Sequence, residues 1–340
     1  MDKTISDVMK QLIQANNDRR LHLFDVQVKQ TENQVVLSGA VLDGAVLAEA
    51  ISRIQQSLPG VAVDASAVKK LRSGNYLWCG TTFTSMHAEP SWLAEQLTQC
   101  AYGTRLELLK QEGNWVFVRQ DDGYLAWAYR PYLSTVKPET PTHLVSSVQA
   151  ELFEKPNSSE LHSSRLYIGT YVAVDRFQAE WAYLKPHAES QPNAMTGGWM
   201  RSDRLFALSD LPTTEATKRQ AILDTAFRLK GVPYLWGGTS TNGIDCSGLA
   251  QLSYRFAGID IPRDADMQKD AGREVQPPFT RGDLVFFGDE GHLERITHVG
   301  ISLGGWQIIH SSRSRNGVYI DDVQAVSHLR ETFAGACSFL

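Results

Sequence analysis

The chain has 340 residues, 42% hydrophobic and 21% charged, with a formal net charge of −5 and no long run of either sign. This length exceeds one ordinary domain, and the composition is that of a folded globular protein. The basic stripe that nucleic acid requires is missing, as is a polybasic membrane anchor, so neither partner is expected.

The start, Met1-Asp2-Lys3-Thr4-Ile5-Ser6-Asp7, lacks the basic and apolar regions of a signal peptide, which sets a cytoplasmic expectation. No stretch approaches the roughly 20 apolar residues that span a bilayer. Cys79, Cys100, Cys246 and Cys337 are scattered without metal-ligand spacing. No metal or cofactor is implied, and Cys79, Cys100 and Cys337 are expected to be buried and reduced.

Residues 5–13 carry apolar residues at helical spacing. Alternating strands follow at 24–29 and 34–38, then an amphipathic helix over 44–58 stopped by Pro59-Gly60, and a strand over 61–68. The order α-β-β-α-β, with "VVLSGAV" before the second helix and "LPGV" after it, resembles the BON fold and marks 1–70 as a small α/β accessory module.

Over 72–209 helical periodicity vanishes. Short alternating runs recur at 105–110, 115–119, 124–129, 148–153, 171–177, 180–185 and 198–201, the pattern of small β-barrels. Two units can be laid over each other, 71–137 and 142–209, each ending on a glycine-aromatic strand. These are Gly123-Tyr124-Leu125-Ala126-Trp127 and Gly197-Gly198-Trp199-Met200, joined by the linker Lys137-Pro138-Glu139-Thr140-Pro141. Both resemble bacterial SH3 domains.

Residues 210–340 read as an α+β domain. Thr214 is a candidate cap for a helix that ends at Gly231, and a second helix over 247–257 ends at Gly258. Strands are expected at 283–287, 297–303, 306–311 and 317–321. Cys246 follows a loop and opens the second helix, where exposed N–H groups and the helix dipole favour a thiolate. An isolated cysteine is usually a buried structural residue. Here Asp245, Ser247 and Gly248 flank it, which suits an accessible turn. His298 shares a strand face with Gly300 and Ser302, and His310 follows apolar Ile308 and Ile309.

A strict two-residue Gly304-Gly305 hairpin would pair His310 with Val299 and put the two rings on opposite faces. A longer loop or a bulge puts them on one face, as catalysis requires. On that geometry Cys246 is the nucleophile, His298 the base that later protonates the leaving amine, and His310 the group that fixes its tautomer. The Cys246 N–H would help to hold the oxyanion.

The motifs Gly231-Val232-Pro233-Tyr234-Leu235-Trp236-Gly237-Gly238, Asp245-Cys246-Ser247-Gly248-Leu249, Pro262-Arg263-Asp264-Ala265-Asp266-Met267-Gln268, Gly282-Asp283-Leu284-Val285-Phe286-Phe287, His298-Val299-Gly300-Ile301 and Ile309-His310 resemble the NlpC/P60 cysteine peptidases. The resemblance implies a papain-like α+β fold, a Cys246-His298-His310 triad and hydrolysis of peptidoglycan stem peptides. By motif position it also implies Tyr234 near the oxyanion hole and Trp236 as a pocket wall, with Asp245, Ser247 and Arg263 on the substrate. Asp264-Ala265 departs from the Ser or Thr that relatives often carry there.

The first barrel, with Met86-His87-Ala88-Glu89-Pro90-Ser91, Glu95 and Gly123-Tyr124, resembles the SH3-like domain of γ-D-glutamyl-L-diamino acid endopeptidases, or dipeptidyl-peptidase VI. That resemblance implies a barrel that closes the substrate groove. Glu95 and Tyr124, with Glu89 as a rival carboxylate, would bind the free L-Ala amine of a murein peptide. The alternative function is an exported wall endopeptidase whose barrels bind peptidoglycan. His292 and His328 are given no role.

Overall fold

The computed structural model describes residues 3–31, 34–158, 161–185, 195 and 197–340. Its chain forms two compact units, one of Met1–Leu77, Glu89–Trp92 and Arg105–Arg130, the other of Trp78–Ala88, Leu93–Thr104 and Pro131–Leu340.

The first unit opens with α1 (Lys3–Ala15), β1 (Phe24–Gln30), β2 (Gln34–Val41), α2 (Gly44–Ser57) and β3 (Ala62–Lys70). β2 pairs antiparallel with β1 and parallel with β3. The parallel pair needs a crossover, and α2 supplies it. Asp43 starts that helix, its carboxylate accepting from the N–H groups of Ala45 and Val46 at 3.0 and 3.3 Å. Ile5, Val8, Met9 and Leu12 of α1 meet Ala50 and Ile54 of α2 over Val35, Leu37 and Val41. Full burial of each large aliphatic side chain contributes about 1.5–3 kcal/mol, so this module carries a core of its own. The unit also holds a meander of β-strands Arg105–Glu112, Trp115–Arg119 and Leu125–Tyr129. Leu42 packs there with Leu109, Phe117, Leu125 and Trp127. Buried Glu107 accepts from Arg72 at 3.0 Å, which satisfies a carboxylate that would otherwise be costly to bury.

The second unit contains the hairpin of Phe83–His87 with Gln96–Ala101 and the pair of Tyr76–Cys79 with Leu133–Ser134 that involves Cys79 and Trp78. None of these four strands is evident from the sequence periodicity. A five-stranded and a three-stranded sheet, both antiparallel, follow over 143–207. They close on Val145, Ala150, Leu152, Leu166, Val172 and Met200. Cys79, Cys100 and Cys337 are buried.

From 214 onward the chain forms a helical layer on a sheet. Thr214 caps α3 (Glu215–Arg228) through a capping box with Thr217. The helix α4 (Cys246–Arg255) and α5 (Ala265–Ala271) follow. The six-stranded sheet runs in the order Arg273–Glu274, Phe333–Ser338, Leu284–Asp289, His292–Gly304, Gln307–Ser312, Gly317–Asp322, every pair antiparallel. Leu284, Phe286, Val299, Ile301 and Ile309 form a core with Leu223, Leu249 and Leu252 of the helices. Val285, Phe287 and Ile308 pack with Phe279, Val323 and Leu329 in a second cluster.

The hairpin that carries both histidines is not the tight one. Ile301 pairs with Ile309 and Ser302 with Ile308, but Gly304 pairs with Gln307, so Leu303 is bulged out. The extra residue moves the register by one and sets His310 beside Gly300, on the His298 face. Gly300 has no room for a side chain: a Cβ there would stand 2.7 Å from Ile308 Cδ1 and 3.3 Å from His310 Cβ. Gly300→Ala is therefore expected to cost about 1–3 kcal/mol by overpacking and to displace His310. Chemical denaturation alongside an activity assay checks this, and a variant of unchanged stability and activity would contradict it.

Candidate active site

The short pair Thr239–Ser240 with Gly243–Ile244 delivers the chain into Asp245, the N-cap of α4. Its Oδ1 accepts from the Gly248 N–H at 2.7 Å. Gly248 lets the loop approach, because a Cβ would sit 2.4 Å from the Gly238 carbonyl oxygen. Cys246 is the first helical residue and only 9% exposed. Its sulfur meets the backbone N–H groups of Val299, next to His298, and of Ser247. Burial, and then the Asp245 charge, push its pKa up to about 12 against those N–H groups and the Arg263 charge. The thiolate expected from the helix N-terminus is thus overruled by desolvation. At rest Cys246 is a protonated thiol.

His298 Nε2 and His310 Nδ1 lie 2.7 Å apart. His310 is 1% exposed, and its Nε2 is 3.3 Å from Asp321 Oδ2. Tyr319 stands against the His310 ring with centroids 4.7 Å apart. Burial, then the charge of His310, holds the His298 pKa down at about 3. Burial, then Arg315, holds His310 at about 4. Both rings are neutral at neutral pH, and among the described residues His298 Nδ1 makes no hydrogen bond.

Asp245, Ser247 and Arg263, expected on the substrate, are 6%, 5% and 2% exposed and bound to one another. Arg263 donates to both Asp245 oxygens at 3.2 and 2.6 Å and to Ser247 Oγ at 2.8 Å. Its Nε donates to Thr98 Oγ1 at 2.8 Å. Gln268 donates to the Ser247 carbonyl at 3.1 Å.

Around the exposed side, Tyr234 keeps its phenolic proton: burial, then Cys246 and Asp245, raise its pKa to about 12. Arg313 hydrogen-bonds to that phenol and lies over the rings of Tyr234 and Trp236 at 5.5 and 5.1 Å. Trp236 is 48% exposed and held at both ends, its indole N–H donating to Glu95 at 2.8 Å and its carbonyl accepting from Gln96 at 2.9 Å. Gln99 accepts from the Thr239 N–H at 3.0 Å. Tyr124 lies in the first unit and is buried, and Glu89 is an exposed residue of that unit. Asp321, Arg313 and Thr98 are not marked by any sequence motif, and exposed His328, which the sequence gives no role, opposes protonation of both histidines. The register of the last hairpin would have exposed Asp321, which stands two residues beyond the partner of His310.

A helix that opens on a buried thiol, packed on an antiparallel sheet that carries two hydrogen-bonded histidines, has the makings of a cysteine peptidase. The NlpC/P60 family profile matches residues 231–335 and the bacterial dipeptidyl-peptidase SH3 domain matches 86–128. The γ-D-glutamyl-L-lysine dipeptidyl-peptidase of Bacillus subtilis is 30% identical over 66% of this chain and 74% of its own. The Bacillus cereus protein of the same name is 28% identical over 78% and 82%. A crystal structure of an NlpC/P60 family protein from Bacillus cereus superposes with a TM-score of 0.67 over 78% of this chain and 99% of that one, at 22% identity. The chain belongs to the NlpC/P60 family.

Two outcomes follow from the electrostatics. His298 and His310 titrate below their ordinary 6.5, so the unfolded chain takes up protons that the fold refuses. Their contribution to stability is complete above the unfolded pKa and is lost as pH falls below it, towards the folded values. Urea unfolding at falling pH should show this loss, and replacing both with glutamine should flatten it. Arg263→Ala leaves the Asp245 carboxylate buried without its cation and should cost about 3–5 kcal/mol. A melting temperature equal to wild type would contradict the role given to the pair.

Proposed function

We propose that this peptidase hydrolyses the γ-D-Glu–L-diamino acid bond of peptidoglycan stem peptides that carry a free N-terminal L-Ala amine. The diamino acid is L-Lys or meso-diaminopimelate. The observation that carries this reading is the 2.8 Å hydrogen bond from the Trp236 indole to Glu95. It puts an exposed carboxylate, on the segment matched by the dipeptidyl-peptidase SH3 profile, against the loop that leads to Cys246. Among the described residues no basic side chain pairs with Glu95, so its charge is available to an ammonium. The names of the two Bacillus relatives support the same bond.

In the proposed reaction His298 Nδ1 takes the Cys246 proton as sulfur attacks the side-chain carbonyl of D-Glu. Tyr234 O–H and the Cys246 N–H donate to the oxyanion. The C–N bond breaks, and His298 returns the proton to the leaving amine of the diamino acid. Water, deprotonated by His298, then splits the thioester and releases L-Ala-D-Glu. An L-Ala amine is free only once the stem is detached from the glycan, so the substrate is a turnover peptide and the role is recycling in the cytoplasm.

Cys246→Ala should abolish turnover while the fold is retained. Glu95→Gln keeps the shape and loses the charge, so kcat/KM for the free-amine tripeptide should fall about tenfold or more, the worth of one charge-assisted hydrogen bond. Alkylation of Cys246 should be unaffected. Product release followed by liquid chromatography checks both. Unchanged kinetics in Glu95→Gln would remove it from the amine site and turn attention to Glu89.

A further inference from the structure

A histidine chain transmits direction as well as contact. Each neutral ring carries one N–H, and whichever nitrogen holds it decides what the next group must offer. Along Cys246, His298, His310 and Asp321 only one arrangement leaves a base at the sulfur. Asp321 Oδ2 accepts from His310 Nε2–H, His310 Nδ1 accepts from His298 Nε2–H, and His298 Nδ1 keeps its lone pair. The reversed arrangement, with the His310 proton on Nδ1, puts an N–H on His298 Nδ1. A protonated Nδ1 accepts nothing from the thiol.

The carboxylate at the end of the chain removes the ambiguity. Asp321 is 8% exposed, accepts at 3.3 Å from His310, and forms an ion pair with Arg315 through its other oxygen. An ionised carboxylate has no proton to give, so His310 must donate to it. Arg315 in turn lies 4.1 Å from the centroid of the Tyr319 ring, which itself packs on His310. The guanidinium therefore spans the outer side of the same assembly. The groups that face the two rings are Asp321, Arg315 and Tyr319, with Asp245 and His328 acting through their charge.

We infer that Asp321 is a positioning residue for the triad, setting the tautomers of His310 and His298 together, and that Arg315 holds it in place through their ion pair. This rests on Cys246 and His298 being nucleophile and base, and not on the identity of the peptide that is cut. Nothing in the motif pattern marks it, since Asp321-Asp322 reads as a polar strand end.

The test is histidine-labelled long-range ¹H–¹⁵N NMR at neutral pH, with the rate of Cys246 alkylation by iodoacetamide measured in parallel. Neither readout needs the substrate, so failure of the proposed specificity would leave both intact. In the wild type, both His298 and His310 should carry their proton on Nε2. In Asp321→Ala a second tautomer should appear for both rings. The alkylation rate should then fall on the order of 10- to 100-fold, a loss of the size met when the hydrogen-bond partner behind a metal-bound histidine is removed. Asp321→Asn can either accept from or donate to His310, so it should give a smaller loss and a mixed tautomer population. If the alanine variant does not fold, the asparagine variant decides alone. Wild-type tautomers together with a wild-type alkylation rate in the folded variant would overturn the inference.

Discussion

The buried pair of Asp245 and Arg263 is the interaction on which the site depends. One carboxylate caps the nucleophile helix, holds Ser247 and takes both terminal nitrogens of the arginine. The third nitrogen of that arginine reaches Thr98, on the strand Gln96–Ala101. The same ion pair therefore fixes where Cys246 points and where the Glu95 end of that strand lies. A buried ion pair adds little to stability when compared with well-packed apolar residues, so its retention here fits a positioning role.

The reactive groups rest uncharged. Burial opposes both a thiolate and an imidazolium, and two N–H groups and one helix start do not outweigh it. With no net charge to orient the rings, hydrogen bonds at 2.7 and 3.3 Å must do so. Tyr234 likewise retains its proton, because burial outweighs the Arg313 hydrogen bond to its phenol.

Much of this was legible in the sequence. Cys246 stood out because polar and glycine neighbours opened a helix, and Thr214 caps its helix as the pattern predicts. The two histidines came together through the condition set by their spacing, a bulge, which Leu303 supplies. What escaped had physical reasons. The strand Phe333–Ser338 is built of small residues with little periodicity, yet it pairs on both sides, with Arg273–Glu274 and with Leu284–Asp289. Gln96, Thr98 and Gln99 alternate weakly in the sequence, and their partners stand 140 residues or more away. Asp245, Ser247 and Arg263 were recognisable as a group by motif, but only packing shows that they are turned towards one another.

The central claim is that a carboxylate near the catalytic loop selects peptides by their free amine. It is tested most directly by mass spectrometry of the protein with L-Ala-γ-D-Glu-meso-diaminopimelate beside its N-acetylated form. Release of L-Ala-D-Glu from the free peptide alone is the expected result. Cleavage of both peptides at similar rates would contradict it and favour an endopeptidase acting on intact wall.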